Sequence, residues 1–328
     1  MCILCRLSHG QIFARTHETQ VHSAAANSRW NVTESIIGLN IGTEVVQAVE
    51  VEHAGATKTL LAMDEFPATL GKITEPTEDE IHRFAAALSK SLKTNEMKSR
   101  RVSVALDTSA LFLNTIPIDA ELSQSEINDH LNWELSQYFP ETPPTEFITD
   151  VHVLTEHQAD HWNQILSVSV RRAQTNSIRR ALEILGQSLH IVDVDHFSAE
   201  TALRVNYPDT NAKYLALVGV KQRRLDVSLI RQGTMEFYTY YLVESNAEIV
   251  ERIGILSRET KGIFSIVTYG PHLDKDLLVE IRRGSSMLVE ALNPLRHLRI
   301  SAKLKLAENL TGPSYRFAAA VGVALRRD

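Results

Sequence analysis

Few residues in this chain have the types and spacing to do chemistry. Val192-Asp-Val-Asp195 alternates two carboxylates along a strand-like run, so both would point to one face, as an acid/base pair requires. The plainer reading is structural, a polar end to a buried strand. His152, His157 and His161 cluster with Asp160 ahead of Trp162, but two of these histidines fall in a polar loop. A solvated loop explains them more simply than a metal. Cys2 and Cys5 are the only cysteines, and with His9 and His17 they have zinc-ligand chemistry. No rigid knuckle surrounds them, and a disulfide framework is excluded. Gly-x-Ser-x-Gly, a Walker loop and Gly-x-Gly-x-x-Gly are all absent, so the common nucleophile and phosphate motifs are missing.

The elements that would position these residues belong to an ordinary globular chain. It has 328 residues, 44% hydrophobic and 23% charged, which suggests two domains. The net charge of −6 supplies no general attraction to nucleic acid or anionic lipid. No run of about 18 apolar residues occurs. The basic stretch Arg296–Arg299 with Lys303 and Lys305 reads as a solvated face. Residues 1–33 are Arg-rich, acid-poor and without periodicity, and read as a disordered extension, with a targeting leader as the alternative. Asn31-Val-Thr33 is a sequon without meaning in a reducing compartment.

From Ile36 the pattern becomes regular. Three β-rich runs, 36–40, 45–52 and 59–63, form a meander. Thr77-Glu-Asp-Glu80 has capping-box spacing before Ile81, Phe84, Ala85 and Leu88. Strands follow at 101–106 and 110–117. Ser123 or Ser125 starts a helix that Pro140 stops. Strands at 149–154 and 165–170, a helix at 176–185 capped by Gly186, a strand at 190–194 and a helix at 198–204 complete the first half. Tyr207–Asn211 is a linker. A second meander, 214–220, 225–231 and 235–242, is followed by a helix at 247–256, a strand at 264–268, a helix at 277–281, a strand at 287–291 and an apolar helix at 317–325. Two mixed α/β lobes of similar plan, with an insertion in the first, are therefore expected.

Five segments in this order resemble the PilM family of type IV pilus assembly proteins, actin-like relatives of FtsA. They are Gly38-Leu-Asn-Ile-Gly42 with Val45–Glu50, Phe112–Pro117, Glu126–Pro140, Val192–Asp195, and Leu292-Asn-Pro294 with Phe317–Leu325. The resemblance implies an α/β, ribonuclease H-like two-lobe fold. Residues 34–107 and 189–206 would form the first lobe, 108–188 an inserted α+β subdomain, and 207–328 a second lobe with its outer subdomain missing or reduced.

The family's phosphate loops are degenerate here. Asn40 stands at the Asp position of the first hairpin, Gly42 and Thr43 remain, Glu44 brings an anion, and the Lys position is Gln47. In the second hairpin Gly219 replaces the carboxylate and Lys221 the tight-turn glycine. Arg223 and Arg224 read as an exposed basic tip. Gly270 is the one surviving glycine of the adenosine motif, followed by Pro271. These losses suggest a pseudo-ATPase, a non-enzyme without cofactor, metal or Mg-ATP. The resemblance further implies a cytoplasmic scaffold at the inner face of the inner membrane. It would hold the tail of a PilN-like single-span membrane protein and dock an assembly ATPase or platform protein, with a homo-oligomeric ring as one possible state. Direct membrane insertion and nucleic acid are not expected. Trp133, Tyr138 and Phe139 are the candidate partner-binding residues, with Trp133 also read as core. The alternatives are a nucleotide-binding pilus ATPase, a cytoplasmic GspL-like secretion protein and an FtsA-like division adaptor. Because residues 1–33 have no periodic apolar face to bury, a chain begun at Thr33 should melt within a few degrees of the full chain in a thermal melt.

Overall fold

The computed structural model describes residues 33–67, 70, 76–157, 161–304 and 313–327. The expectations on residues 1–32, Asp160, Lys305 and the side chain of His157 lie outside the described residues.

The chain opens with an antiparallel meander, β1 (Glu34–Ile41), β2 (Val45–Ala54) and β3 (Thr57–Pro67). Helix α1 (Glu78–Thr94) begins at the capping box expected from sequence. The Thr77 side chain accepts from the Glu80 N–H, and Glu80 accepts from Thr77 in return. Its buried face is Ile81, Phe84, Ala85, Leu88 and Leu92. β4 (Arg101–Leu106) then lies parallel to β1. An inserted unit follows: β5 (Phe112–Asp119), α2 (Gln124–Tyr138), β6 (Phe147–His157) and β7 (Trp162–Arg171), with strand order β5-β7-β6, all antiparallel. Ser123, not Ser125, caps α2. Helix α3 (Arg172–Ile184) leads back to β8 (Ser188–Val194), parallel to β4, and α4 (Asp195–Asn206) leaves the sheet.

The second half repeats the scheme. β9 (Tyr214–Val220), β10 (Arg224–Arg231) and β11 (Thr234–Leu242) form a meander, and α5 (Asn246–Glu259) covers it. β12 (Ser265–Tyr269) lies parallel to β9, α6 (Lys275–Gly284) crosses over, and β13 (Val289–Ala291) lies parallel to β12. The chain ends with β14 (Arg299–Ile300) and α7 (Ala318–Ala324). The sheet orders β3-β2-β1-β4-β8 and β11-β10-β9-β12-β13 have the same topology. The segment between β11 and β12 holds the single helix α5, as its short length requires.

One boundary differs from the sequence reading. Residues 207–328 were expected to stay with the second lobe. Instead β14 pairs in parallel with β3, so part of the basic stretch is a strand on the first sheet. Helix α7 also packs against β1, β2 and β4. The run Ala-Ala-Ala-Val-Gly-Val-Ala has no side chain longer than valine, so it can approach a sheet and a second helix together. Its residues join Val49, Val51, Leu60 and Met63 in one buried cluster.

Two glycines set the closeness of this packing. A Cβ on Gly38 would run into the Ala320 carbonyl of α7. A Cβ on Gly322 would run into the Ser198 carbonyl of α4. Helices α4 and α7 thus touch backbone to backbone. We expect Gly322→Ala to lower the melting temperature by about 5 °C or more, because the obstacle is main chain rather than a side chain that can turn away. Gly233→Asn is the control, since that glycine has a left-handed φ of +76° in open space, where Asn is tolerated. Differential scanning calorimetry checks both.

Candidate functional site

The ends of β1, β4 and β9 and the start of α4 converge on a cleft between the lobes. A cavity of about 90 Å³ lies in it, lined by Asn40, Gly42, Thr43 and Glu44 from the first hairpin, with Asp107, Asp195, Lys221, Pro271, His272 and Arg316. Three of the five cofactor candidates therefore line the cleft. Gly219 does not. It lies within β9 against the Tyr269 ring, whose Oη would be 2.7 Å from any Cβ placed there. Gly270 holds a left-handed φ of +127° with Val220 against it, so it serves the turn after β12.

The centre of the cleft is Lys221, expected from sequence only as a spoiled glycine turn. Its backbone closes the β9–β10 hairpin, with the Lys221 N–H donating to the Arg224 carbonyl at 3.0 Å. Its side chain is buried and reaches across to the first lobe. Nζ lies 3.0 Å from Asp107 Oδ1, 2.6 Å from Asp195 Oδ2 and 3.0 Å from Asp226 Oδ2. It also donates to Thr108 Oγ1. Thr108 Oγ1 in turn donates to Asp226 Oδ2 at 2.7 Å. Asp226 Oδ1 accepts from Arg224 Nε at 2.8 Å and from Tyr238 Oη at 2.7 Å. Arg224 is therefore not an exposed basic tip but a second partner of Asp226. Next to this cage, buried His196 joins Tyr269 Oη at 2.8 Å and Ser228 Oγ at 3.0 Å.

The charges in the cage do not balance, and this sets its titration. Burial would lower the Lys221 pKa, but Asp107, Asp195 and Asp226 together raise it above the usual lysine value. Burial alone would raise Asp226, yet Lys221 and Arg224 hold it below the usual carboxylate range. Asp195 shares Lys221 and has no second cation. Burial, with Asp107 and Asp226 adding, pushes it up to about 7. Burial also lowers His196 to about 4, leaving a neutral imidazole.

On the first-lobe side, Asn40 Nδ2 donates to Gln47 Oε1 at 2.8 Å, and Gln47 Nε2 donates to Glu65 at 3.0 Å. Arg316 meets the same Glu65 at 3.0 Å. The Asn40 amide is thus committed to Gln47, while Asn40 Oδ1 is buried without a hydrogen-bond partner. Asp193 and Asp195 do not share a face. The strand ends at Val194, Asp195 begins α4 and turns into the cleft, and Asp193 holds Ser198 and Arg326. Sequence reading missed Asp107, Thr108 and Asp226. The available signal for Asp226 was its alternation with Ser228 inside the otherwise apolar run Leu225–Ile230.

The aromatic candidates sit on the inserted unit. Trp133 is 56% exposed, which corrects its reading as core: α2 buries only Leu131 and Leu135. Tyr138 is equally exposed. Phe139 is half-buried. Its ring lies 5.3 Å from Phe112 and 5.0 Å from Phe147, with Arg171 over both Phe139 and Phe147. Tyr138 joins this cluster through Phe112 at 4.8 Å, whereas Trp133 stacks on His130 at 5.9 Å. His152 is half-buried on β6, and His161 is an exposed turn residue. With Lys221 occupying the carboxylate cage, no group of His, Cys, Asp or Glu side chains among the described residues is open to hold a metal ion.

Two lobes of matching topology, joined by α4 and α7 around a cleft at the strand ends, define the actin-like ATPase fold. Within that class the chain belongs to the family of type IV pilus assembly protein PilM, whose sequence pattern matches residues 38–241. Among solved structures it is similar to a chain of a PilM–PilN type IV pilus biogenesis complex, with a TM-score of 0.73 and 18% identity over 90% of this chain and 98% of that one. It is also similar to the cytoplasmic domain of EpsL, an inner membrane component of the Vibrio cholerae type II secretion system, with a TM-score of 0.47 and 9% identity over 90% of this chain and 97% of that one. Among the described residues no helix is long and apolar enough to cross a membrane.

The raised Asp195 pKa has a definite sign. The folded state holds that proton more tightly than the unfolded chain, so this group's contribution to stability falls as pH rises from about 4 to 7. Asp195→Asn removes that dependence. We expect the stability of the native chain minus that of the variant to decrease with pH across this window, as read from urea titrations at several pH values.

Proposed function

We propose that this chain is a scaffold of type IV pilus assembly that holds the cytoplasmic tail of a PilN-like inner-membrane protein and works without binding or turning over ATP. Membership of the PilM family and the fold shared along nearly the whole chain of the PilM–PilN complex support the partner. The observation that carries the loss of nucleotide is Lys221. A magnesium–phosphate group in this cleft would need free carboxylates to hold water around the metal, and backbone donors facing the phosphates. Here the carboxylates surround an ammonium, Asn40 and Gln47 bond each other, and Glu44 lines the remaining space. The cavity of about 90 Å³ falls well below the roughly 300 Å³ or more of an ordinary ligand pocket.

The inserted unit, in contrast, is fully built, with a capped helix, a three-stranded sheet and a stacked aromatic cluster. The partner tail would be an extended apolar segment lying between the first lobe and this insertion. Peripheral placement at the inner membrane then follows from the partner rather than from an anchor of the described chain.

Two measurements test the proposal. Calorimetric titration with Mg-ATP should show no binding, and saturation at low micromolar nucleotide would overturn the pseudo-ATPase reading. Tyr138→Ala should weaken capture of a PilN-like N-terminal peptide about 10-fold or more with an unchanged melting curve, because an exposed aromatic anchor contributes to binding but little to the core. Phe139→Ala should weaken capture by about 30-fold or more and also lower stability, because its ring packs on Phe112 and Phe147. Peptide binding unaffected by both changes, in a fluorescence titration, would place the groove elsewhere.

A further inference from the structure

We propose that Lys221 is a tethered cation: its ammonium fills a site of divalent-cation character made by Asp107, Thr108, Asp195 and Asp226, and holds the two lobes together in the place of a dissociable metal–ligand group. This rests on the reading of the chain as nucleotide-independent and goes beyond it, because it assigns the lost cofactor's mechanical role to one side chain.

The geometry carries the inference. Three carboxylates from three separate segments, the end of β4, the start of α4 and the middle of β10, each approach one Nζ within 3.0 Å. Such convergence of carboxylate oxygens with a hydroxyl is the donor set of a hard cation. Asp107, Thr108 and Asp195 belong to the first lobe, whereas Lys221 and Asp226 belong to the second, so every contact from Lys221 to the first three is a bond between lobes. Thr108 adds another through Asp226. The cage is closed by its own hydrogen bonds. The Thr108 N–H donates to Asp195 Oδ1 at 3.3 Å and the Ser109 N–H to Asp107 Oδ1 at 2.9 Å, so the carboxylates are held in position independently of the lysine. A metal exchanges with solvent, whereas an ammonium on the chain cannot leave. The consequence is one fixed relation between the lobes, insensitive to nucleotide and to chelators.

Replacing Lys221 should expose the site. Lys221→Met keeps the stem of the side chain up to Cε and removes the ammonium, leaving repelling carboxylates in a buried setting. We expect its melting temperature to fall by about 6 °C or more. Added CaCl2 or MnCl2 at about 10 mM should recover at least half of that loss, while moving the native chain by no more than about 1 °C. Electron paramagnetic titration should find one Mn²⁺ site in the variant and none in the cleft of the native chain. The double variant Lys221→Met, Asp195→Asn should melt above the single variant and lose its response to metal. Should Lys221→Met be recovered only as aggregate, the same proposal requires CaCl2 during expression or the added Asp195→Asn change to return it to solution. Failure of metal and of the second change to restore the variant overturns the tether, as does a Lys221→Met protein as stable as the native chain. Mg-ATP binding by the native chain would instead overturn the reading on which the tether rests, so the two failures are distinguishable.

Discussion

The structure turns on one ammonium among three carboxylates. Lys221 spans from the second lobe to the ends of β4 and α4 in the first, where charge is costly unless paired. Pairing is incomplete by one charge, and the proton that Asp195 retains near neutrality takes up part of the excess. Around this point the remaining polar groups are arranged in order. Arg224 and Tyr238 complete Asp226, and His196 between Tyr269 and Ser228 continues the network neutrally into the apolar core. A buried network of this kind is stabilising only when nearly every member is satisfied, which ties the register of β9, β10, β11, α4 and β12 to a single arrangement.

Helices α4 and α7 pack on the first lobe, and their Ala199, Leu203 and Ala318 also enter the second lobe's core. Small residues let these helices approach at backbone distance, and Gly322 and Gly38 are the positions where no side chain fits. Electrostatic closure at the cleft and this shared helix packing constrain the same relation between the lobes. Met235 and Tyr238 of the second lobe pack into the first lobe's core and add an apolar component.

The inserted unit contacts the second lobe as well as the first. Thr155 Oγ1 donates to the Glu236 carbonyl on β11, so the insertion is braced against both. Under the proposed function, this bracing lowers the entropy lost when an extended partner binds beside the exposed rings of α2.

Local order along the chain determined much of this by itself. The capping box at Thr77, the alternation of the two meanders and the position of Gly186 depend on neighbours a few residues apart, so they are legible without the fold. The order of the family segments was legible for the same reason. What only the tertiary structure decided lies between distant residues. The Lys221–Asp107 and Thr108–Asp226 contacts join positions more than a hundred residues apart. Nothing in the local sequence of a hairpin shows whether a lysine points to solvent or into a carboxylate cage. The exposure of Trp133 was hidden likewise, because an aromatic on an amphipathic helix is core or surface according to what the insertion packs against. The return of α7 and β14 to the first sheet was hidden too: an apolar run shows that it must be buried, but the partner that buries it is chosen by the closure of the whole chain.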